Sequence, residues 1–148
     1  MKEPRVREHL VRWLSSRGYT NITMAPQKGR PPSKPKGRGR PSKSSSNPDI
    51  KGNKGTSYYY IEAKGDPPST TKIYTAIGEL CTKKAATTPT TYAIGFPISF
   101  APYILNLLSP RAWKRLEVKI LLVSNSGEVA EYSPSKASLQ KMKGLRAT

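Results

Sequence analysis

The sequence predicts an α/β fold, a layered sandwich in which a mixed central β-sheet is flanked by helices. Three observations carry the prediction. Apolar residues at helical spacing open the chain and recur in its middle. Short runs rich in β-branched and aromatic residues lie between them, bounded by glycine, proline and asparagine. The resulting order is helix, strand, hairpin, helix, strand, helices, strand, strand. A chain of 148 residues is expected to form a single domain, 1–148, large enough to bury most of its apolar surface.

Each element has its own signal. Residues 4–17 read as a helix, with Val6, Leu10, Trp13 and Leu14 on one stripe and Gly18 as the stop. Residues 19–24 (YTNITM) read as a strand. Asp49 to Lys51 and Tyr58 to Gly65 form the arms of a hairpin, with turn chemistry from Gly52 to Ser57. Asp66-Pro67-Pro68 ends the second arm. Ser69 or Thr70 then caps a helix running to about Ala86, with a stripe of Ile73, Ile77 and Leu80 joined by Cys81 and Ala85. Residues 91–96 are a strand, 101–108 and 110–116 short helices, and Pro110 suits a first helical position. Residues 118–123 (VKILLV) are an apolar strand, returned by a turn at 125–127 to a partner over 129–132. Residues 136–148 are basic and weakly periodic, a helix or a C-terminal tail.

One stretch breaks the pattern. Residues 27–47 contain no aliphatic or aromatic side chain and read as a flexible basic insertion within the domain. The hydrophobic content of 35%, with 14 prolines and 11 glycines unevenly spread, fits a folded body plus such a segment. Formal charge is +17, from 26 basic and 9 acidic residues. That imbalance speaks of partners, and a polyanion such as DNA is the first expectation. A membrane surface is disfavoured, since no basic amphipathic helix and no apolar run of spanning length is visible. The single cysteine, Cys81, excludes an intrachain disulfide and a cysteine-built zinc site. The single histidine, His9, has no orienting acid at a telling distance for triad chemistry. No leader is expected at the start, and an intracellular place, cytoplasmic or nucleoid-associated, fits this composition.

The chemistry-bearing strings are Pro48-Asp49 and, a dozen residues on, Tyr60-Ile61-Glu62-Ala63-Lys64. If the hairpin turns over Lys54 to Ser57, Asp49 lies directly across from Glu62. Alternation puts Lys64 on the same face as Glu62. Two carboxylates and an ammonium then converge. Hard oxygen donors of this kind suit Mg²⁺, with Mn²⁺ as a substitute, and the main-chain carbonyl of Ala63 is a natural further ligand. Such an ion polarises a phosphate and helps generate hydroxide, while Lys64 holds the attacking water or offsets charge on phosphorus. A surface hairpin in which Lys64 merely pairs with a carboxylate is the alternative reading. Tyr58 and Tyr60 share the same face, and either fill the sheet's packing or stack on bases.

The acid, the gap and Glu62-Ala63-Lys64 resemble the PD-(D/E)xK nuclease superfamily. The resemblance covers roughly Arg5 to Tyr132 apart from the basic insertion. It implies a restriction-endonuclease-like three-layer sandwich and a Mg-dependent endodeoxyribonuclease that hydrolyses phosphodiester bonds. Asp49 and Glu62 would then hold the metal and Lys64 would position the nucleophile. Many members add a glutamate from the first helix, for which Glu8 is the nearest match, although it lies opposite the apolar stripe and reads equally as a solvated residue. Some carry a glutamine on the following helix, where this chain has Glu79, an exposed helix acid on the plainer reading. Small nucleases of this fold often pair as homodimers. Residues 96–108 are a candidate interface or, equally, a core helix.

Within the insertion, Arg38-Gly39-Arg40-Pro41, flanked by Lys36, Gly37 and Lys43, resembles an AT-hook. That resemblance implies two arginines in the narrow minor groove of A·T-rich DNA, with Gly39 and Pro41 shaping the chain. Lys28 and Arg30 belong to a second, poorer copy. An unspecific basic tether is the other reading. A non-catalytic DNA-binding protein of AT-hook or chromatin type is thus the main alternative to a nuclease, and a ribosomal-type RNA-binding protein the third.

Overall fold

A computed structural model describes residues 1–26, 48–84 and 88–145. The fold is α/β. A six-stranded mixed sheet runs β1 (Thr20–Met24), β2 (Ile50–Lys54), β3 (Ser57–Ala63), β4 (Thr90–Pro97), β5 (Val118–Val123) and β6 (Val129–Tyr132), with spatial order equal to chain order. β2 runs antiparallel to both of its neighbours, β1 and β3; β3, β4 and β5 are parallel, and β6 returns antiparallel to β5. Strands buried on both faces need continuous apolar runs, and β4 and β5 supply them, nearly every residue being buried.

Helices lie on both faces. On one, α1 (Glu3–Ser16) spans the strands, and Val6, Leu10 and Leu14 are fully buried against Ile50, Tyr59, Ile61, Ala63, Ala93, Leu121 and Val123. Burying each such leucine contributes roughly 1.5–3 kcal/mol. On the other face, α2 (Thr70–Lys83) crosses from β3 to β4, and α3 (Ala101–Leu107) with α4 (Pro110–Leu116) crosses from β4 to β5. Their core holds Ile73, Leu80, Ile94, Phe96, Phe100, Ile104, Trp113 and Ile120. A final helix, α5 (Lys136–Lys143), packs on α3 through buried Leu139 and Met142. Serine hydroxyls cap α2, α4 and α5, Ser69 accepting from the Lys72 N–H, Ser109 from Ala112 and Ser135 from Ser138.

The structure refines the sequence reading at a few points. Of the helix and the tail left open for 136–148, a docked helix forms over Lys136–Lys143, because Leu139 and Met142, three residues apart, give it an apolar side. Cys81 is exposed, and Ala76 takes its place on the buried stripe of α2, which is described as far as Lys83. Within residues 96–108, read as an interface or a core helix, Phe96, Phe100, Ala101 and Ile104 are core, Leu105, Leu107 and Leu108 are partly buried and Tyr103 is exposed. Among the described residues no helix is long and apolar enough to cross a membrane.

Candidate active site

The β2–β3 hairpin pairs Ile50 with Ile61 and continues in register to Lys54 with Ser57. Gly55 and Thr56 make the turn, and Gly55 has φ +59°, a left-handed value glycine adopts without strain. One further step in this register sets Asp49 across from Glu62, as the sequence required. Asp49 is held rigidly there. Its Oδ2 accepts the Ala63 N–H at 2.9 Å, and its carbonyl oxygen accepts the Ala25 N–H at 2.9 Å. Ala63 therefore enters the site through its main chain, its side chain being buried on the α1 face.

Glu62 is only 3% exposed. Lys83 Nζ, from the last turn of α2, donates to its Oε2 at 2.8 Å, while Lys64 Nζ stands 3.5 Å from Oε1. Lys64 in turn donates to Glu79 Oε2 at 2.5 Å. Burial pushes the Glu62 carboxyl up to about 7, and a hydrogen bond with Glu79 and the negative charge of Asp49 act in the same direction against the pull of Lys83. Glu79 is lowered: burial opposes ionisation, but hydrogen bonds from Glu62 and Lys64 prevail. Of the two carboxyls, Glu62 is the one whose ionisation is disfavoured. Lys64 is raised, since the carboxylates of Glu79, Glu62 and Asp49 outweigh the burial that disfavours its charge. Glu79 is thus part of the cluster and not a solvated helix acid, because its place on α2 faces the strand that carries Lys64.

The first helix also contributes, through a different residue from the one expected. Glu8 is exposed and lines an outer cleft with Lys2, Arg5 and Asn125. Glu3 faces the cluster instead, its carboxyl raised by burial and by Asp49, with Lys64 and Arg7 pulling it down. The signal was present in the sequence: Glu3 stands three residues before Val6 and seven before Leu10, on the buried stripe, and Glu8 does not. Two glycines let α1 come this close. A Cβ on Gly65 would strike the backbone of Glu3, and one on Gly95 would strike Leu10 Cδ1. Arg7 was missed as well. It is buried, and its Nη2 donates to the carbonyl oxygens of Ala25 and Asp49 at 2.5 and 2.9 Å. It ties the end of β1 to the residue that opens the site.

Four of the chain's 9 acidic residues, Glu3, Asp49, Glu62 and Glu79, gather here in a molecule of net charge +17. Among the described residues no three His, Cys, Asp or Glu side chains are grouped to hold a metal ion by themselves. The facing pair Asp49 and Glu62 fits a hard cation of the Mg²⁺ kind, which keeps several waters and takes only one or two protein carboxylates. Each has one oxygen engaged, Oδ2 by Ala63 and Oε2 by Lys83, while Asp49 Oδ1 accepts no hydrogen bond from the described residues and Glu62 Oε1 has Lys64 Nζ 3.5 Å away. A carboxyl whose charge is disfavoured by like neighbours is one whose ionisation a cation would restore.

Lys28, Arg30, Lys36, Arg38, Gly39, Arg40, Pro41 and Lys43 lie outside the described residues. Pro26 and Pro48, which flank 27–47 in the sequence, adjoin the Ala25–Asp49 contact at the site. No protein-family model matches this chain, and neither the curated proteins nor the solved structures give a match.

Proposed function

We propose that this chain is a metal-dependent endodeoxyribonuclease of the PD-(D/E)xK type, built on the restriction-endonuclease-like version of its α/β fold. The observation that carries the reading is the meeting of Asp49, Glu62 and Lys64 at one end of the β2–β3 hairpin, inside a concentration of acid on a strongly basic protein. A polyanion is drawn by the whole surface, and the acidic cluster is where a cation would meet it.

In this reading Asp49 Oδ1, Glu62 Oε1 and the Ala63 carbonyl hold Mg²⁺, or Mn²⁺ in its place. The ion would supply Lewis acidity toward the scissile phosphate and lower the pKa of a bound water. Asp49 is fixed by the Ala63 N–H and Arg7, so its free oxygen needs no reorganisation. Lys64, kept protonated and aimed by Glu79, orients the attacking water and offsets charge on phosphorus. Lys83 supports Glu62 from the second helix. Arg38 and Arg40 would enter the minor groove of A·T-rich DNA, with the rest of 27–47 on phosphates. The protein would then act on intracellular DNA.

A supercoiled plasmid incubated with the protein, Mg²⁺ or EDTA tests this. The expected result is nicked or linear product with Mg²⁺ only, reduced by about a hundredfold or more in Asp49→Ala, Glu62→Ala and Lys64→Ala. Cleavage retained in all three ends the proposal. A non-catalytic DNA-binding protein is the second reading, favoured by the Lys83–Glu62 contact, which already neutralises the buried carboxyl. It expects plasmid retention with a steep salt dependence and no metal-dependent product.

A further inference from the structure

Among the described residues, helices roof only part of the sheet face that carries Glu62 and Lys64. On it, α2 packs over β3 and β4, and the later helices complete the core from β4 onward. Toward β1 and β2 none of the described helices covers the same face. There Asn21, Thr23, Lys51, Gly52, Asn53 and Tyr58 line a cleft of about 290 Å³. Lys51 Nζ stands over the Tyr58 ring, 4.6 Å from its centre, and 5.3 Å from the centre of the Tyr60 ring, so a base on that face of Tyr58 would take the place Lys51 leaves as it turns to a phosphate. No acid among the described residues pairs with Lys51, and the sequence of 27–47 contains none. The tyrosines differ. Tyr60 sits edge-on between Tyr58 and Tyr92 and packs against the core, whereas Tyr58 is the outer end of that ladder and is not part of the core. A bulge in β1, with Asn21 at φ +49°, interrupts the edge strand beside the cleft.

We infer that this cleft binds an unpaired nucleotide of a DNA strand, with Tyr58 as the stacking platform, Lys51 on the adjacent phosphate, and Asn21, Thr23 and Asn53 on base or sugar edges. Three features choose this occupant. Among the described residues that line the cleft, the one charge is a cation with no acidic partner. A tyrosine ring beside it offers sequence-tolerant stacking. Short amides and a hydroxyl surround both, the groups that read exposed base edges. Stacking requires a base whose face is free, so a duplex, whose faces are covered, does not satisfy the cleft. Tyr58 and Glu62 are four residues apart on one strand and one face, so the platform stands about 13 Å from the catalytic carboxyl. The inference rests on the nuclease reading for where the strand leads and deepens it: the substrate carries a single-stranded segment, as in a flap or an opened junction arm.

The test is binding of fluorescein-labelled oligothymidylate to the full chain in EDTA, followed by anisotropy over a salt series, with a duplex of equal length beside it. Tyr58→Leu should weaken oligothymidylate about tenfold and leave the duplex unchanged, while Tyr58→Phe binds as wild type. Lys51→Gln should lower the salt slope by about one. Equal losses on single strand and duplex, or no loss in Tyr58→Leu, overturns the inference. If Tyr58→Leu does not fold, an unchanged slope in Lys51→Gln overturns it. Because no cleavage is read, failure of the nuclease proposal is distinguishable: a protein that grips oligothymidylate through Tyr58 yet cuts nothing keeps the cleft and loses the enzyme.

Discussion

The two faces of β3 are made from alternate residues of one short strand, yet they obey different physics. Tyr59, Ile61 and Ala63 point under α1 and are buried among Val6, Leu10 and Leu14. Tyr58, Tyr60, Glu62 and, just beyond the strand, Lys64 point the other way, into a half-open surface of charge and aromatic rings. The first face is satisfied by shape. The second gathers like charges around the buried carboxyl of Glu62, an arrangement that costs stability. Substitutions on the closed face should therefore move the melting transition, and those on the open face should move function or its pH dependence.

The largest stability effect should come from the closed face. Leu10 is fully buried, and its side chain fits over Gly95, so Leu10→Ala removes packing that the sheet cannot close around. A loss of roughly 2–5 kcal/mol is expected by denaturant titration. Gly95→Ala should cost less, about 1–3 kcal/mol, by overpacking the same contact from the other side. If either variant left stability unchanged, the helix would not be seated as described. Metal-dependent nicking should follow the folded fraction in both.

Much of this contrast was legible in the sequence. The alternation in Tyr58-Tyr59-Tyr60-Ile61-Glu62-Ala63-Lys64 fixed the two faces, and turn chemistry set the register that brings Asp49 opposite Glu62. The strand from Val118 to Val123 and its partner from Val129 to Tyr132 were readable to the residue, since apolar runs and an Asn-Ser-Gly turn bound them sharply. What escaped were contacts between elements far apart in the chain. Glu79 and Lys83 look like ordinary helix charges until α2 is laid along β3. Arg7 looks like a surface cation until two carbonyl oxygens are brought to it. Glu3 was recoverable from its place on the stripe, but a glutamate in a first helical turn also reads as a partner of the helix dipole.

The open face should announce itself through pH. In metal-free protein Glu62 has its carboxyl raised from 4.5 to about 7, so the folded state holds a proton that the unfolded chain releases. Folding stability linked to this group is therefore greatest below about 4.5 and is lost as pH rises toward 7. Glu62→Gln, which carries no charge at any pH, should gain on wild type across that window in EDTA. Denaturant titrations at several pH values check it, and parallel wild-type and variant curves would mean that Glu62 is not strained. Mg²⁺ at tenfold its dissociation constant should then return about 1.4 kcal/mol to wild type at neutral pH and little to Glu62→Gln.

The smallest effect expected is at Tyr59, the closed face's one polar reach. Its hydroxyl donates to Glu131 Oε2 at 2.9 Å, and burial together with that carboxylate pushes the phenol well above its ordinary range, so it stays protonated. Lys119 already holds the other oxygen of Glu131 at 2.9 Å. Tyr59→Phe therefore leaves the carboxylate with a partner, and the ring keeps its edge-on contacts with Trp13 and Tyr19. The cost should be about 1 kcal/mol. Nicking and oligothymidylate binding should be untouched, whereas Tyr58→Leu, one residue away, should spare the melting transition and weaken the single strand. A Tyr59→Phe protein that lost strand binding would show that the two faces are coupled through the sheet, and the division drawn between them would fail.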